Sequence, residues 1–433
     1  MKLKDFLSGI PYAGWVVIYT ALCWGMFASI LGVVTPELKK ELGNFQDMGL
    51  LMAVWAAGSV VGAIQGGRLA GKFSARPLFI SYMSFTALAL LIIVVAQHFW
   101  LVAFGFFVAS FFEAALLTLG HGILAMVYQN PMARARTLSL VDVAYSSGHL
   151  LTPTIVIAVL QFNSDWRFPY QLFFIPLAIA LLAFYPQKYF TNQATGLHSS
   201  NHHSEDTNNH TTDNNQDASD SPQKPLSNSY QQLLSQASVR WIMACGFMAA
   251  TLEWGPVFWS VTFGIEVLGI SANQSRQALQ FFVAGMVAAR IWQAFSHSQL
   301  SLEGKMKILS TVIFMGVVPT LLLPLIPQLW PATSLSVITG LFWGFNALYG
   351  VGVGVFFPVL LAWLIDRNQH MASKASAVIM ISFTVGCQFA GFVIGALSDR
   401  IGLNWAYCLL GLVAVGLFFS VLQLKKYPVL KTG

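Results

Sequence analysis

The residues best able to do chemistry in this 433-residue chain are carboxyls in an apolar setting. Glu113 interrupts "VASFFEAALLTLGHG" (108–122), inside an apolar run from about 99 to 128. Glu253 interrupts "TLEWGPVFW" (251–259), inside a second run from about 238 to 265. Each lies near the middle of its run. An acidic or basic residue at the centre of a hydrocarbon layer costs roughly 2.5–3.5 kcal/mol on insertion scales. A carboxyl tolerated there either binds and releases a proton from a water-accessible cavity, or is a structural residue held neutral or paired. His121 lies about 12 Å along a helix from Glu113, on a similar face. It reads as a proton relay or as an ordinary helix histidine, and His149 in "YSSGHLLTP" carries the same two readings. Beside it, Tyr145, Ser146 and Ser147 either line a cavity or bond across helices.

Other polar residues suggest gates and a ligand. Asp142 falls in a basic neighbourhood of Lys72, Arg76, Arg134 and Arg136, as a gate salt bridge or an interfacial cap. Arg290 reads as a gate residue or as a side chain snorkelling to the interface. Trp24, Trp254, Trp259, Trp343, Tyr349, Gln280, Asn346 and Gln388 combine flat rings with amides, which suits a sugar-like solute. Aromatics also serve as packing and lipid-facing material. "NALYGVGVGVF" (346–356) adds glycines that permit close approach or bending.

Enzyme signatures such as HExxH or GxSxG are missing, and "GHG" at 120–122 is neither. There is no P-loop for ATP. No catalytic residue, metal or cofactor is expected. Cys23, Cys245, Cys387 and Cys408 all fall in apolar runs without CxxC spacing, and read as small buried residues rather than disulfide or metal ligands.

These residues must be positioned by membrane-spanning elements. The chain is 56% hydrophobic and 9% charged, with a mean hydropathy of +0.65. Soluble domains carry about 25% charged residues. Apolar runs recur at about 12–35, 48–66, 77–97, 99–128, 137–162 and 168–190, then at 238–265, 275–296, 306–327, 333–365, 371–398 and 404–424. Backbone crossing hydrocarbon must satisfy its own polar groups, so these twelve are helices. The expectation is an all-α integral membrane protein with two six-helix halves: 1–190, a disordered cytoplasmic linker at 191–236, and 237–433.

Charge placement sets topology. Of 23 Lys and Arg, all but Lys39, Lys40, Arg167, Arg276 and Arg400 fall on the side holding the N-terminus. That side is expected to be cytoplasmic, with both termini there. The net charge of +6 therefore reports topology, and no nucleic-acid partner is expected. "MKLKDFLSGIPYAGWVV" runs straight into a full span, so no removable signal peptide is expected. The linker, rich in Asn, Ser, Asp and His, cannot bury enough surface to order itself. His198, His202, His203 and His210 have no metal-site spacing and read as plain linker, with metal binding as the alternative.

The halves echo each other. "GSVVGAIQGGR" in the second run matches "GMVAARIWQAF" in the eighth: Gly58, Gly62 and Gly66 against Gly285 and Ala289. "SLVDVAYSSGH" in the fifth matches "AVIMISFTVGC" in the eleventh, with Tyr145 over Phe383 and Gly148 over Gly386. Parallel repeats of this kind mark transporters.

This layout resembles the major facilitator superfamily. That family carries G-x-L-a-D-R-x-G-R-R/K after its second helix. Here "GRLAGKFSAR" keeps Gly67, Leu69, Ala70 and Arg76, with Lys72 for Arg, Gly71 for Asp, Ser74 for Gly and Ala75 for Arg. "GALSDRIG" (395–402) gives a fuller echo at the end of the eleventh run. Within the superfamily the chain is similar to the fucose permease branch, including TsgA-like members. "WGMFASILGVVTP" (24–36) resembles that branch's first helix, and "FFEAALL" its "LETAAN" element. Glu253 followed by Trp259, and "GMVAARIW" ending at Arg290, resemble its seventh and eighth helices. The branch's first-helix carboxylate is Gly32 here, and its fourth-helix Asn is Leu117.

The resemblance implies alternating access, with Glu113 as proton carrier and Glu253 sharing that role or contacting substrate. The expected function is proton-coupled symport of a sugar-like or other small polar solute across the cytoplasmic (inner) membrane. A proton-antiport exporter is the alternative. The expected partners are substrate, protons and lipid, with the protein a monomer.

Overall fold

A computed structural model of the chain describes residues 10–70, 72–127, 131–184, 231, 233–295, 300–368, 372–424 and 426. Among the described residues the fold is helical, without strands. The first half contains α1 (Tyr12–Leu42), α2 (Phe45–Ala70), α3 (Ala75–Val95), α4 (Phe99–Val127), α5 (Pro131–Phe162), α6 (Phe168–Leu172) and α7 (Phe174–Phe184). The second contains α8 (Ala237–Glu266), α9 (Ala272–Phe295), α10 (Leu302–Leu322), α11 (Ile326–Leu329), α12 (Leu335–Gly354), α13 (Phe356–Arg367), α14 (Ala372–Ile401), α15 (Leu403–Tyr407) and α16 (Leu409–Leu424).

Among the described residues, nine helices are long and apolar enough to cross a membrane. Three expected spans miss that measure for two reasons. The sixth is split at Phe173, where Pro176 in the first turn of α7 restarts the helix. The seventh and eighth, α8 and α9, carry Arg240, Glu253, Arg276, Arg290 and several amides. Of those, Glu253, Arg276, Arg290 and Gln280 meet the other half or their own neighbours. The tenth span also divides, into α12 and α13, at Val355. Most of the expected linker lies outside the described residues, as do its four histidines. Its end differs from expectation: residues 233–235 are helical and Leu233 is fully buried, because an apolar side chain there has a core to join.

The sequence echo between halves is a packing echo. In the first half α1 packs on α5, α2 on α4 and α3 on α4; in the second α8 packs on α14, α9 on α12 and α10 on α12. Gly148 of α5 faces the Leu22 carbonyl of α1, and Gly386 of α14 faces the Phe247 carbonyl of α8. A Cβ at either glycine would lie 2.1 Å from that oxygen. Each crossing is therefore closed by a glycine that no larger residue replaces without separating the helices. The halves meet through α2 with α14, α5 with α9, and α1 with α8.

One end of this interface is sealed. Arg276 of α9, 3% exposed, bonds Glu37 of α1 at 2.5 Å and the Val33 carbonyl at 3.3 Å. Lys39 bonds Glu266 at 2.5 Å and stands 3.7 Å over the Phe45 ring. Asp399, at the end of α14, accepts from the first two backbone N–H groups of α2: Phe45 at 3.2 Å and Gln46 at 2.7 Å. Asn44 takes the next donor, from Asp47, at 2.8 Å. The free N–H groups at this helix start are thus shared between a local cap and a carboxylate from the opposite half.

Two prolines shape the middle. A proline lacks an N–H, so the carbonyl four residues earlier loses its helical partner. Pro256 in α8 releases the Leu252 carbonyl, and the buried Tyr349 hydroxyl donates to it at 2.5 Å. Pro358 in α13 releases the Gly354 carbonyl, and Arg290 Nε donates to it at 2.9 Å. Hydrocarbon offers no water to fill such positions, so side chains do.

Two outcomes follow from these contacts. Tyr349→Phe should leave the Leu252 carbonyl unpaired and destabilise the protein by about 1–3 kcal/mol, read as a lower melting temperature in detergent; an unchanged melting temperature would show that water reaches that carbonyl. Asp399→Ala should remove a cap worth about 0.5–2 kcal/mol and shift the closed-to-open ratio of this end by about 2- to 30-fold. Spin labels at Asn163 and Ser271, exposed on opposite halves of this end, should then show a longer-distance population.

Candidate functional site

Three helices build a central cavity. Its wall comes from Tyr145, Ser146 and His149 of α5, Glu253, Trp254 and Val257 of α8, and Val283, Met286 and Arg290 of α9. Tyr145 and Ser146 stand four and three residues before His149, as Glu253 and Trp254 do before Val257; Val283, Met286 and Arg290 follow the same spacing, so each set lies along one side of its helix. The cavity thus lies where α5 of the first half meets α8 and α9 of the second. It offers about 40 Å³ to water-sized molecules. That is room for a few waters, and a sugar would not fit in this state.

A chain of polar contacts crosses it. Arg290 donates through Nη1 to Ser146 Oγ, and the Ser146 hydroxyl donates in turn to the Asp142 backbone carbonyl at 2.7 Å. Arg290 Nη2 faces Glu253 Oε1 at 3.5 Å. His149 Nδ1 is bonded to the Ser29 hydroxyl of α1. The Tyr145 and His149 rings lie 4.8 Å apart, His149 and Trp254 6.0 Å, and Trp254 and Trp55 5.5 Å. This aromatic file joins α5, α8 and α2 and forms the floor of the site towards the sealed end.

Glu113 lies behind the cavity wall rather than in it. It is 3% exposed, and its Oε2 has no hydrogen-bond partner among the described residues. Tyr145, in the cavity wall, stands within electrostatic reach of Glu113, Glu253, Arg290 and Cys387. On the other side, His121 and Asp142 are exposed and interact electrostatically with each other, and Asp142 also with Arg290.

The sequence expectations divide accordingly. Tyr145, Ser146, His149, Glu253, Trp254 and Arg290 converge on one cavity. Arg290 was expected at a gate; its long side chain instead reaches Ser146 and Glu253, so Glu253 has a cationic neighbour. Asp142 was expected to pair with Lys72, Arg76, Arg134 or Arg136. Its charged neighbours among the described residues are Arg290 and His121, and the side chains of Arg134 and Arg136 lie outside them. Arg76 is half-buried in the first turn of α3.

Several expected cavity residues have other occupations. Trp24 is buried against Phe27 and Phe173 within the first half. Trp259 donates to the Ala390 carbonyl at 3.2 Å and packs on Phe45, towards the sealed end. Gln280 bonds Thr154 across the halves at 2.6 Å. Asn346 is buried and bonds the Phe342 carbonyl at 2.8 Å. Tyr349 serves the Leu252 carbonyl. Gln388 is half-buried on α14, next to Cys387. Backbone carbonyls thus take the Trp259, Asn346 and Tyr349 donors that a sugar would need.

Sequence reasoning missed Ser29, Val257, Val283 and Met286. The apolar three carry no sequence signal that separates a cavity wall from a core. Gly32, where the resembled branch has a carboxylate, is a contact point between halves: a Cβ there would stand 1.8 Å from the Val257 carbonyl. Among the described residues no group of His, Cys, Asp and Glu gathers to hold a metal.

The geometry has parallels among known proteins. The family model described as Major Facilitator Superfamily matches residues 17–387. A bacterial homolog to the human lysosomal transporter Spinster, solved inward-facing and unoccupied, superposes with a TM-score of 0.64 at 12% identity, covering 96% of this chain and 98% of that one. The same homolog, inward-facing and occupied, gives a TM-score of 0.67 with the same identity and coverage. At that identity the likeness is one of fold. No curated protein matches the chain. With its apolar helices, its two packed halves and a family match over most of its length, the chain belongs to the Major Facilitator Superfamily, as a multi-pass secondary transporter that works by alternating access.

Proposed function

We propose that this transporter couples the movement of a small polar solute to protons, with Glu113 as a proton-carrying group and the Arg290–Glu253 cavity as the solute site. The carrying observation is Glu113 itself: a buried carboxyl with an unpartnered oxygen, one aromatic side chain away from a charged cavity. A structural carboxylate at that depth would be expected to have a cation or several donors. A group that is alternately protonated and emptied needs a path to the cavity rather than a permanent partner, and Tyr145 supports such a path.

The Lys and Arg distribution supports cytoplasmic termini in the inner membrane. The end closed by Arg276, Lys39 and Asp399 then faces outward. The protein acts as a monomer, substrate and protons entering the interface between its halves. The small, charged cavity favours symport of a polar solute over export of large apolar compounds. The first-helix glycine and the tied-up amides argue for a solute chemistry other than the neutral sugar of the fucose permease branch.

Reconstitution tests the coupling. In proteoliposomes loaded with a pH-sensitive dye, a transported solute should move protons with it. Glu113→Gln should cut solute-driven proton flux at least about tenfold, on the scale of general acid–base contributions, while solute binding to the purified protein survives. Proton flux that persists in Glu113→Gln would remove Glu113 from the coupling path.

A further inference from the structure

At the centre of the interface the cation is fixed and its counter-charge is loose. Arg290 is held by Nε on the Gly354 carbonyl at 2.9 Å and by Nη1 on Ser146. Neither partner can turn away easily. The Gly354 carbonyl lost its helical donor to Pro358, and Ser146 is oriented by its own bond to the Asp142 carbonyl. Glu253, by contrast, meets the guanidinium at 3.5 Å. Charge-assisted N–H···O bonds normally span about 2.7–2.9 Å. The same chain makes such bonds elsewhere: Arg276 to Glu37 at 2.5 Å and Arg167 to Glu41 at 2.7 Å. The Nη2 edge of Arg290 therefore faces the cavity with donor capacity that Glu253 does not fill.

We propose that Arg290 is the recognition group for a small carboxylate-bearing solute, which displaces Glu253 from the guanidinium when it binds. The proposal rests on the transporter reading above and names the substrate class of that site. A planar carboxylate matches the guanidinium fork in a way a hydroxyl does not. Trp254, Val257, Val283 and Met286 offer the solute's short carbon body an apolar wall. The cavity of about 40 Å³ widens as the Glu253 carboxylate swings away, so the fitting solute has only a few heavy atoms. An amine in the same place would stand against a fixed positive charge.

The charge balance then supplies coupling. The incoming monoanion takes over Arg290. Glu253, left in a buried site without its cation, is destabilised as a carboxylate. Taking one proton on a carboxyl oxygen neutralises it, and Arg290 stays protonated throughout. Site plus solute plus the proton on Glu253 carries the same net charge as the empty site, so binding adds no charge to the interface, and the proton on Glu113 is a separate one.

Binding to the purified full-length protein tests this. The readout is calorimetry, with quenching of tryptophan emission alongside. The probes are matched sets: lactate, 1,2-propanediol and 1-amino-2-propanol, then glycolate, ethylene glycol and ethanolamine. The carboxylates should bind at least about tenfold tighter than their neutral and cationic counterparts, a difference of about 1.4 kcal/mol. Their affinity should rise as pH falls, by up to about tenfold per unit. Arg290→Gln should abolish that preference, and Arg290→Lys should keep part of it. Glu253→Gln, which mimics the neutral form and keeps Arg290 intact, should bind carboxylates with the pH dependence flattened; it decides the matter if Arg290→Gln does not fold. Equal binding across a set, no carboxylate binding at all, or an unchanged pH slope in Glu253→Gln would each overturn the proposal. The coupling reading fails separately: carboxylates that bind through Arg290 without moving protons in proteoliposomes leave this assignment standing. Neutral solutes that move protons through Glu113 leave coupling standing and sink the carboxylate.

Discussion

Backbone satisfaction in a medium without water is the constraint on which this structure turns. Each helix closes its own hydrogen bonds except where proline forbids it, and a carbonyl freed in that way is open to a side-chain donor. Pro256 and Pro358 make two such exceptions near the centre of the second half. Tyr349 meets the first and Arg290 the second. The cost of Arg290's buried charge is therefore offset in part by a carbonyl that needed a donor. The same bond fixes where the guanidinium points, towards the first half and the cavity.

Around that fixed point the two halves are held very differently along their length. At the α1–α2 end the contacts are short: the buried Arg276 guanidinium on Glu37, Lys39 on Glu266, and Asp399 on the start of α2. At the centre the contacts are long or indirect, through Ser146 and a stretched Glu253. A tight end and a loose centre suit a carrier whose halves rock about a site between them. Within each half, the glycine crossings at Gly148 and Gly386 let α1 with α5, and α8 with α14, move as rigid pairs.

The Asp399 contact also gives meaning to a departure in the family motif. After α2 the position of the usual Asp is Gly71, while "SDR" in the last turn of α14 keeps one. That carboxylate caps a helix of the opposite half at the sealed end. An exposed charge-assisted cap is a modest interaction, of the order of 1 kcal/mol. Modest is enough to bias two conformations of similar free energy.

Hydropathy, charge placement and the two carboxyls in apolar runs already carried the fold class, the span count, the repeat and the interest of Glu113 and Glu253. Those properties are local: a run of apolar residues or a glycine repeat has the same meaning in any tertiary setting, because hydrocarbon imposes it. Tyr145, Ser146 and His149 were legible as a group because they share one helix face. The destination of each long polar side chain was not. Arg290 left the gate for the cavity, Tyr349 and Asn346 turned to backbone carbonyls, Gln280 bonded across the interface, and Trp24 stayed within its own half. Such choices depend on which carbonyls the prolines release and which helix stands opposite. Sequence determined that this chain crosses the membrane as two related halves with carboxyls inside its apolar runs. Tertiary structure alone decided which charges meet, because a side chain of several rotatable bonds takes its partner from across the interface rather than from its own helix.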